Sequence, residues 1–267
     1  MIYSDLQKIV EECKCVHSVK TNYNNMCVFE NKENRYMMSM PVFKTDKLSL
    51  QGGMSLSNPR EKVLPYYESM CDTIINLSPE NNVLCIGLGA GFLPKEIRFL
   101  SNCNIDVVEI DLKVEEICCN YFELPKDINV YIDDGYNFVM NTSNKYDFII
   151  VDAYCGNKIP FLMVTSDFFK KCKSILKEDG TISVNLSRYH CFYYSHLKSI
   201  MSVFGEKLFA NDGIGNVGNV IIHNKRDHDF VEGLFFKTKV IFMNDKIMKS
   251  KVFRYDMTGL NENSCRR

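Results

Sequence analysis

The sequence predicts an α/β fold: a doubly wound, mostly parallel sheet preceded by a small antiparallel β-sheet. Two observations carry this. From Val83 onward, continuous apolar runs of strand length alternate with segments of helical period, as in sheets whose strands are buried on both faces by crossover helices. Before residue 55, short runs rich in β-formers are separated by polar turns, without that alternation. A chain of 267 residues has room for one large unit and a small appendage. The division is expected as a β-rich domain at 1–55 and the main domain at 56–267.

In chain order, a short helix is expected from Ser4 to Cys13, then two to four strands built from Val16–Lys20, Cys27–Glu30 and Arg35–Met40. Such a sheet is too small to stand alone and should pack on the main domain. Gln51-Gly52-Gly53-Met54 reads as a loop. Asn58 as N-cap, Pro59 at the first helical position and Glu61 at the third make a helix start. That helix would carry Val63, Leu64, Tyr67, Met70 and Ile74, with at least one of Tyr66 and Tyr67 in the core.

The stretch from Val83 to Asp111 organises the rest of the chain. An apolar strand, Val83–Ile86, leads into alternating Gly87, Gly89 and Gly91, then a helical pattern through Leu93, Ile97 and Leu100. A second strand, Ile105–Ile110, carries Glu109 near its end. Glycines let the backbone turn tightly and approach a ligand, although many strand-to-helix turns use them for steric reasons alone. The spacing G-x-G-x-G is one residue shorter than the dinucleotide fingerprint. It favours a nucleoside without a pyrophosphate, such as S-adenosylmethionine, over NAD.

The alternation then continues. Helices are expected at Lys113–Phe122, Tyr136–Met140, Ser166–Leu176 and Tyr193–Val203, with Asp179-Gly180 as a turn. Strands are expected at Ile128–Ile132, Tyr146–Val151, Thr181–Leu186, Lys207–Phe209 and Asn219–His223, completing seven in the main sheet. The segment from Arg226 onward is not assigned, despite apolar patches at Val231–Phe236 and Val240–Met243. Right-handed crossovers bring the C-terminal ends of parallel strands to one edge, where ligands bind. That edge would collect Gly87–Gly91, Glu109, Asp134 and Asp152.

Composition bounds the partners. Lys+Arg at 32 against Asp+Glu at 33 offers nothing to attract nucleic acid or an anionic membrane. No apolar run reaches the length of a transmembrane helix, and the N-terminus is too mixed for a secretory signal. Twelve cysteines lack any C-x-x-C pair, so neither a zinc site nor a disulfide framework is expected. Cys85, Cys118 and Cys172 fall within apolar patterns and read as buried thiols. A reducing cytoplasm is the expected compartment, where the sequons at Asn76, Asn141 and Asn185 carry no meaning.

By position alone, Glu109 can hold a ribose diol. Asp134 can accept from an adenine amine, or simply cap the following helix. Asp152 can orient or deprotonate an attacking amine, or be an ordinary polar start to a loop.

The motifs VLCIGLGAG (83–91), VVEID (107–111), IDDGYNF (132–138) and YDFIIVDAY (146–154), with the segment 159–186, resemble the spermidine synthase-like group of class I S-adenosylmethionine-fold enzymes. The early β-sheet and QGGM…YYESM (51–70) fit the same group. The resemblance implies a Rossmann-like seven-stranded sheet of the class I methyltransferase kind. It implies a donor pocket formed by Gly87, Leu88, Gly89, Ala90, Gly91, Glu109, Ile110, Asp134, Gly135 and Asp152. Asp152 would be the catalytic acid, and Gln51, Tyr66 and Tyr154 would face the amine substrate. A homodimer is compatible with the group, and no metal is implied.

Two departures shift the expected reaction. Aminopropyltransferases of the group resemble G-G-G-D-G-G at the turn, with an acid for the ammonium of decarboxylated S-adenosylmethionine; here that position is Ala90. They also resemble D-S-x-D-P after the fourth strand, and here the second acid is Cys155. Ala90 leaves the turn's amides free for the carboxylate of intact S-adenosylmethionine. The sequence is therefore read first as a methyltransferase acting on an amine or a protein nitrogen. The alternatives are a polyamine aminopropyltransferase and a catalytically silent binding protein.

Overall fold

The protein is described by a computed structural model covering residues 3–41, 48–61, 63–64, 66–71, 74, 77–154, 159–213, 218–224, 236–242 and 245–250. Helix α1 (Tyr3–Glu12) precedes four antiparallel strands, β1 (Lys14–Lys20), β2 (Asn25–Glu30), β3 (Asn34–Met40) and β4 (Ser49–Ser55), paired in chain order. Side-chain oxygens close the tight turns: Thr21 accepts from the amides of Tyr23 and Asn24, and Asn31 from those of Glu33 and Asn34. Leu6 and Ile9 of α1 cover one face of the sheet at Cys27, Phe29 and Met38.

The Gln51–Met54 loop expected from sequence is instead the middle of β4. Gly52 and Gly53 looked like turn residues, but here they allow close approach. A Cβ on Gly53 would lie 2.9 Å from Val63 and 3.2 Å from the Tyr36 ring. The strand has no room for side chains there.

The main sheet contains β5 (Asn82–Ile86), β6 (Asn104–Glu109), β7 (Asn129–Ile132), β8 (Tyr146–Val151), β9 (Leu176–Ser187), β10 (Lys207–Gly213), β11 (Asn219–His223) and β12 (Phe236–Phe242). Their order is β12-β10-β11-β9-β8-β5-β6-β7. Strands β7, β6, β5, β8 and β9 run parallel, β11 lies antiparallel to β9 and β10, and β12 is antiparallel to β10. The seven expected strands are present, and β12 from the unassigned segment adds an eighth along β10. It pairs a long stretch of β10 backbone that would otherwise be an open edge.

Burial on both faces explains why β5 is apolar from Val83 to Ile86. Val83 and Cys85 enter one core and Leu84 and Ile86 the other, as expected of a strand buried on both faces. The first core holds α3 (Phe92–Leu100) and α4 (Leu112–Tyr121), together with Met26, Val28, Met37 and Met54 of the small sheet. The second holds α5 (Gly135–Asn141), α6 (Ser166–Ile175) and α7 (Tyr193–Phe204). Cys85, Cys118 and Cys172 are buried, and the described cysteines are free thiols. Beyond β12 lies the short helix Asp245–Lys249. Among the described residues, no helix is long and apolar enough to cross a membrane.

Two further expectations are corrected. The helix projected from Asn58 begins only at Tyr66, and α2 spans Tyr66–Cys71; a helix starting at Pro59 would carry Pro65 in its interior, where proline has no N–H to donate. Asp179-Gly180 is not a turn between elements, because β9 runs through it. Opposite β8 the register jumps there, with Tyr146 facing Leu176 and Phe148 facing Thr181. The extra residues of β9 form a bulge.

Candidate active site

Strands β5 and β6 end side by side, with β8 on the other flank of β5, and the glycine turn rises between them. Gly87, Gly89 and Gly91 all have left-handed φ, at 98°, 53° and 74°. Two of them are also required by space. A Cβ on Gly87 would meet the Asp152 carbonyl oxygen at 2.3 Å, and one on Gly89 the Gln51 carbonyl at 2.8 Å. The Asp152 amide donates to the Ile86 carbonyl at 2.9 Å, and the Gly87 amide to that of Val108 at 2.8 Å. Behind the turn, the Cys118 thiol donates to the Gly89 carbonyl at 3.1 Å.

Glu109 is locked to this turn. Its Oε2 accepts from the Leu88 amide and its Oε1 from the Asp111 amide, both at 3.0 Å. Burial pushes its carboxyl above the usual range, and these amides oppose the shift. Ile110, beside it, is exposed. Gly135 packs so closely that a Cβ would lie 2.5 Å from Ile86 and 2.4 Å from Met163. Asp134 caps α5, its Oδ1 accepting from the Asn137 amide at 3.0 Å. That is the second of the two uses the sequence allowed for it, and it engages one carboxylate oxygen.

Asp152 follows β8, and both of its oxygens are held. Tyr66 donates its hydroxyl to Oδ2 at 3.2 Å, and the Asn185 amide nitrogen donates to Oδ1 at 2.8 Å. Burial raises the Asp152 carboxyl above its ordinary value, against the lowering effect of these two donors. The same burial, with Asp152 alongside, pushes the Tyr66, Tyr67 and Tyr154 hydroxyls upward, so they stay neutral donors. Tyr67 stacks on Phe92 at 4.6 Å between ring centroids and fills the core position expected of one of the pair. Tyr154 donates to the Asn185 carbonyl at 3.1 Å. Gln51 meets the turn through its carbonyl, while its side-chain amide donates to Ser49.

The fold thus brings Tyr66 and Asn185 onto Asp152, with Tyr154 on the Asn185 carbonyl, and Glu109, Gln51 and the glycines around the turn. Cys155 lies outside the described residues. Asn185 was missed as a site residue. Its signal was present: a polar side chain inside the apolar run Thr181–Leu186, now 2% exposed. A buried amide must find partners. Its second partner, Asn219, donates to Asn185 Oδ1 at 2.9 Å, and only the pairing of β11 with β9 reveals it. Among the described residues, no His, Cys, Asp and Glu cluster could hold a metal ion.

The strand order, with its antiparallel strand near one edge, defines a class I methyltransferase-like α/β fold. Residues 64–212 match the spermine/spermidine synthase domain, and the chain belongs to that family. It is 29% identical over 200 residues to the polyamine aminopropyltransferase of Vibrio vulnificus (strain CMCP6), covering 72% of this chain and 65% of that one. The polyamine aminopropyltransferase of Clostridium beijerinckii is likewise 29% identical, over 73% of this chain and 66% of that protein. The chain therefore spans slightly under two thirds of the length of these relatives. A probable spermidine synthase from Corynebacterium glutamicum ATCC 13032 superposes with a TM-score of 0.73 at 14% identity, over 93% of this chain and 99% of the other.

These relatives overturn the methyltransferase expectation, which rested on Ala90 and Cys155. Ala90 is 2% exposed, and a Cβ on Gly52 would lie 2.5 Å from its own Cβ. Its Cβ thus lies directly beneath β4, where that strand packs over the turn.

Proposed function

We propose that the chain is a polyamine aminopropyltransferase of the spermidine synthase type, with decarboxylated S-adenosylmethionine as donor and a small amine as acceptor. The observation that carries the reading is the Asp152 carboxylate, fixed through both oxygens beside the glycine turn. The curated relatives support it by their activity.

What favours an adenosyl group is that three left-handed glycines bend the backbone tightly where β5 and β6 end, beside the Glu109 carboxylate. Glu109, already oriented by two amides, would accept from the ribose hydroxyls. The free oxygen of Asp134 would accept from the adenine amine, with Ile110 and Gly135 lining the base. The donor supplies a propylamine activated by a sulfonium. Asp152 would hold the acceptor's ammonium, take its proton and present the neutral nitrogen for attack. Tyr66 and Tyr154 would line the acceptor's path, with Gln51 at the turn.

The test is incubation with decarboxylated S-adenosylmethionine and a diamine, followed by mass spectrometry of the amine. Gain of an aminopropyl group and release of methylthioadenosine are the expected results. Absence of transfer, with no calorimetric binding of the decarboxylated donor, would overturn the reading.

A further inference from the structure

Behind Asp152 stands a relay of two amides that reaches into the next layer of the sheet. Asn185 lies on β9 and Asn219 on β11, and the register pairs Asn219 with Ser187 and Ile221 with Asn185. The two asparagines are diagonal neighbours on one face, within reach of each other's side chains. The links are Asn219 Nδ2 to Asn185 Oδ1 at 2.9 Å and Asn185 Nδ2 to Asp152 Oδ1 at 2.8 Å.

We infer that Asn219 is a positioning residue for the reaction proposed above: it fixes which end of the Asn185 amide faces Asp152.

An amide has a donor end and an acceptor end, and Asn185 is buried too deeply for water to satisfy either freely. An ionised carboxylate only accepts. Asn185 must therefore present its NH2 to Asp152 and turn its oxygen away, where that oxygen needs a donor. Asn219 supplies one. Without it, the buried oxygen loses its partner, and the amide gains a reason to rotate toward donors elsewhere. Rotation would set an oxygen against the Asp152 carboxylate. The base would lose one of its two donors, swing about the remaining Tyr66 hydrogen bond, and hold its proton more tightly.

The groups facing Asp152 from other elements sharpen the expectation. They are Tyr66 and Tyr67 from α2, Tyr154 from the loop after β8, and Cys85 from β5. All four are held neutral by burial, so none changes charge while a carboxylate titrates. The amides of Asn185 and Asn219 do not titrate at all. A shift in Asp152 on removing Asn219 would therefore report the hydrogen bonds rather than a change in neighbouring charge.

The experiment uses Asn219→Leu, which keeps the shape and removes the amide, with Asn219→Ala as a second variant removing the same group. The side-chain carboxyl carbon of Asp152, assigned by its loss in Asp152→Asn, is followed by NMR as pH is varied in the ligand-free protein. The midpoint is expected to rise by about one pH unit. The acid limb of kcat/KM should move by the same amount, with kcat falling severalfold and KM for the donor little changed. An unchanged midpoint in either folded variant overturns the inference. Because the NMR midpoint needs no substrate, it judges the relay even if the wild-type protein transfers no aminopropyl group, a result that would count against the reaction alone.

Discussion

Gly52 and Ala90 meet where the small sheet lies across the glycine turn: a Cβ on Gly52 would come within 2.5 Å of the Ala90 Cβ and 3.0 Å of the Tyr67 hydroxyl. The two sheets thus share a contact at the candidate donor site. Gly52→Ala is expected to destabilise the protein by about 1–3 kcal/mol, because neither backbone can retreat. It should also weaken donor binding by moving the turn. Chemical denaturation and calorimetry on the same variant check both effects.

Asp152→Asn keeps the shape and removes the proposed base. A fall in kcat of about 10²–10⁴-fold is expected, with donor affinity nearly unchanged. In the wild type, burial holds the Asp152 carboxyl above its ordinary value. The ionised form is lost as pH falls through that raised value, so activity should decline on the acid side earlier than for an exposed aspartate. An equal loss of donor affinity in Asp152→Asn would show that the residue serves binding instead.

Glu109→Gln removes the charge while leaving one oxygen to accept from Leu88 or Asp111. Losing a charged acceptor for two ribose hydroxyls should weaken donor binding by about 10- to 100-fold. Titration calorimetry with decarboxylated S-adenosylmethionine measures this. Unaltered affinity would place the ribose elsewhere.

His223 is buried, bonds through Nδ1 to the Ser183 hydroxyl at 2.8 Å, and has its pKa pushed down to about 3 by burial. The folded state refuses a proton that the unfolded chain takes up near pH 6.5. Stability is therefore full above that value and is lost as pH falls toward about 3, at up to about 1.4 kcal/mol per unit. Melting temperatures between about pH 7 and about pH 4 should drop along this slope, and His223→Gln should flatten it.

Much of the architecture is legible in the sequence because its signals are local. The continuous runs at Val83–Ile86 and Tyr146–Val151, the left-handed glycines and the acids at strand ends each depend on a few neighbouring residues. Where local signals conflicted, tertiary contacts decided. Gly52-Gly53 has turn composition yet pairs with Met37 and Tyr36 of β3 as strand, with Ala90 and Val63 packed too close for a side chain. Asp179-Gly180 likewise sits in a bulge within β9.

The sequence by itself determined the seven-strand pattern and the family to which the chain belongs, since periodicity and motif spacing are written along the chain. Only the tertiary structure decided what surrounds Asp152. Tyr66 comes from 86 residues away and Asn185 from 33 residues away, and Asn219 reaches Asn185 because β11 pairs with β9. Such meetings depend on strand order and register, which no local pattern encodes. The same is true of Ala90. Read along the chain it looked like a choice of donor, and only the fold shows it buried against Gly52 of the small sheet.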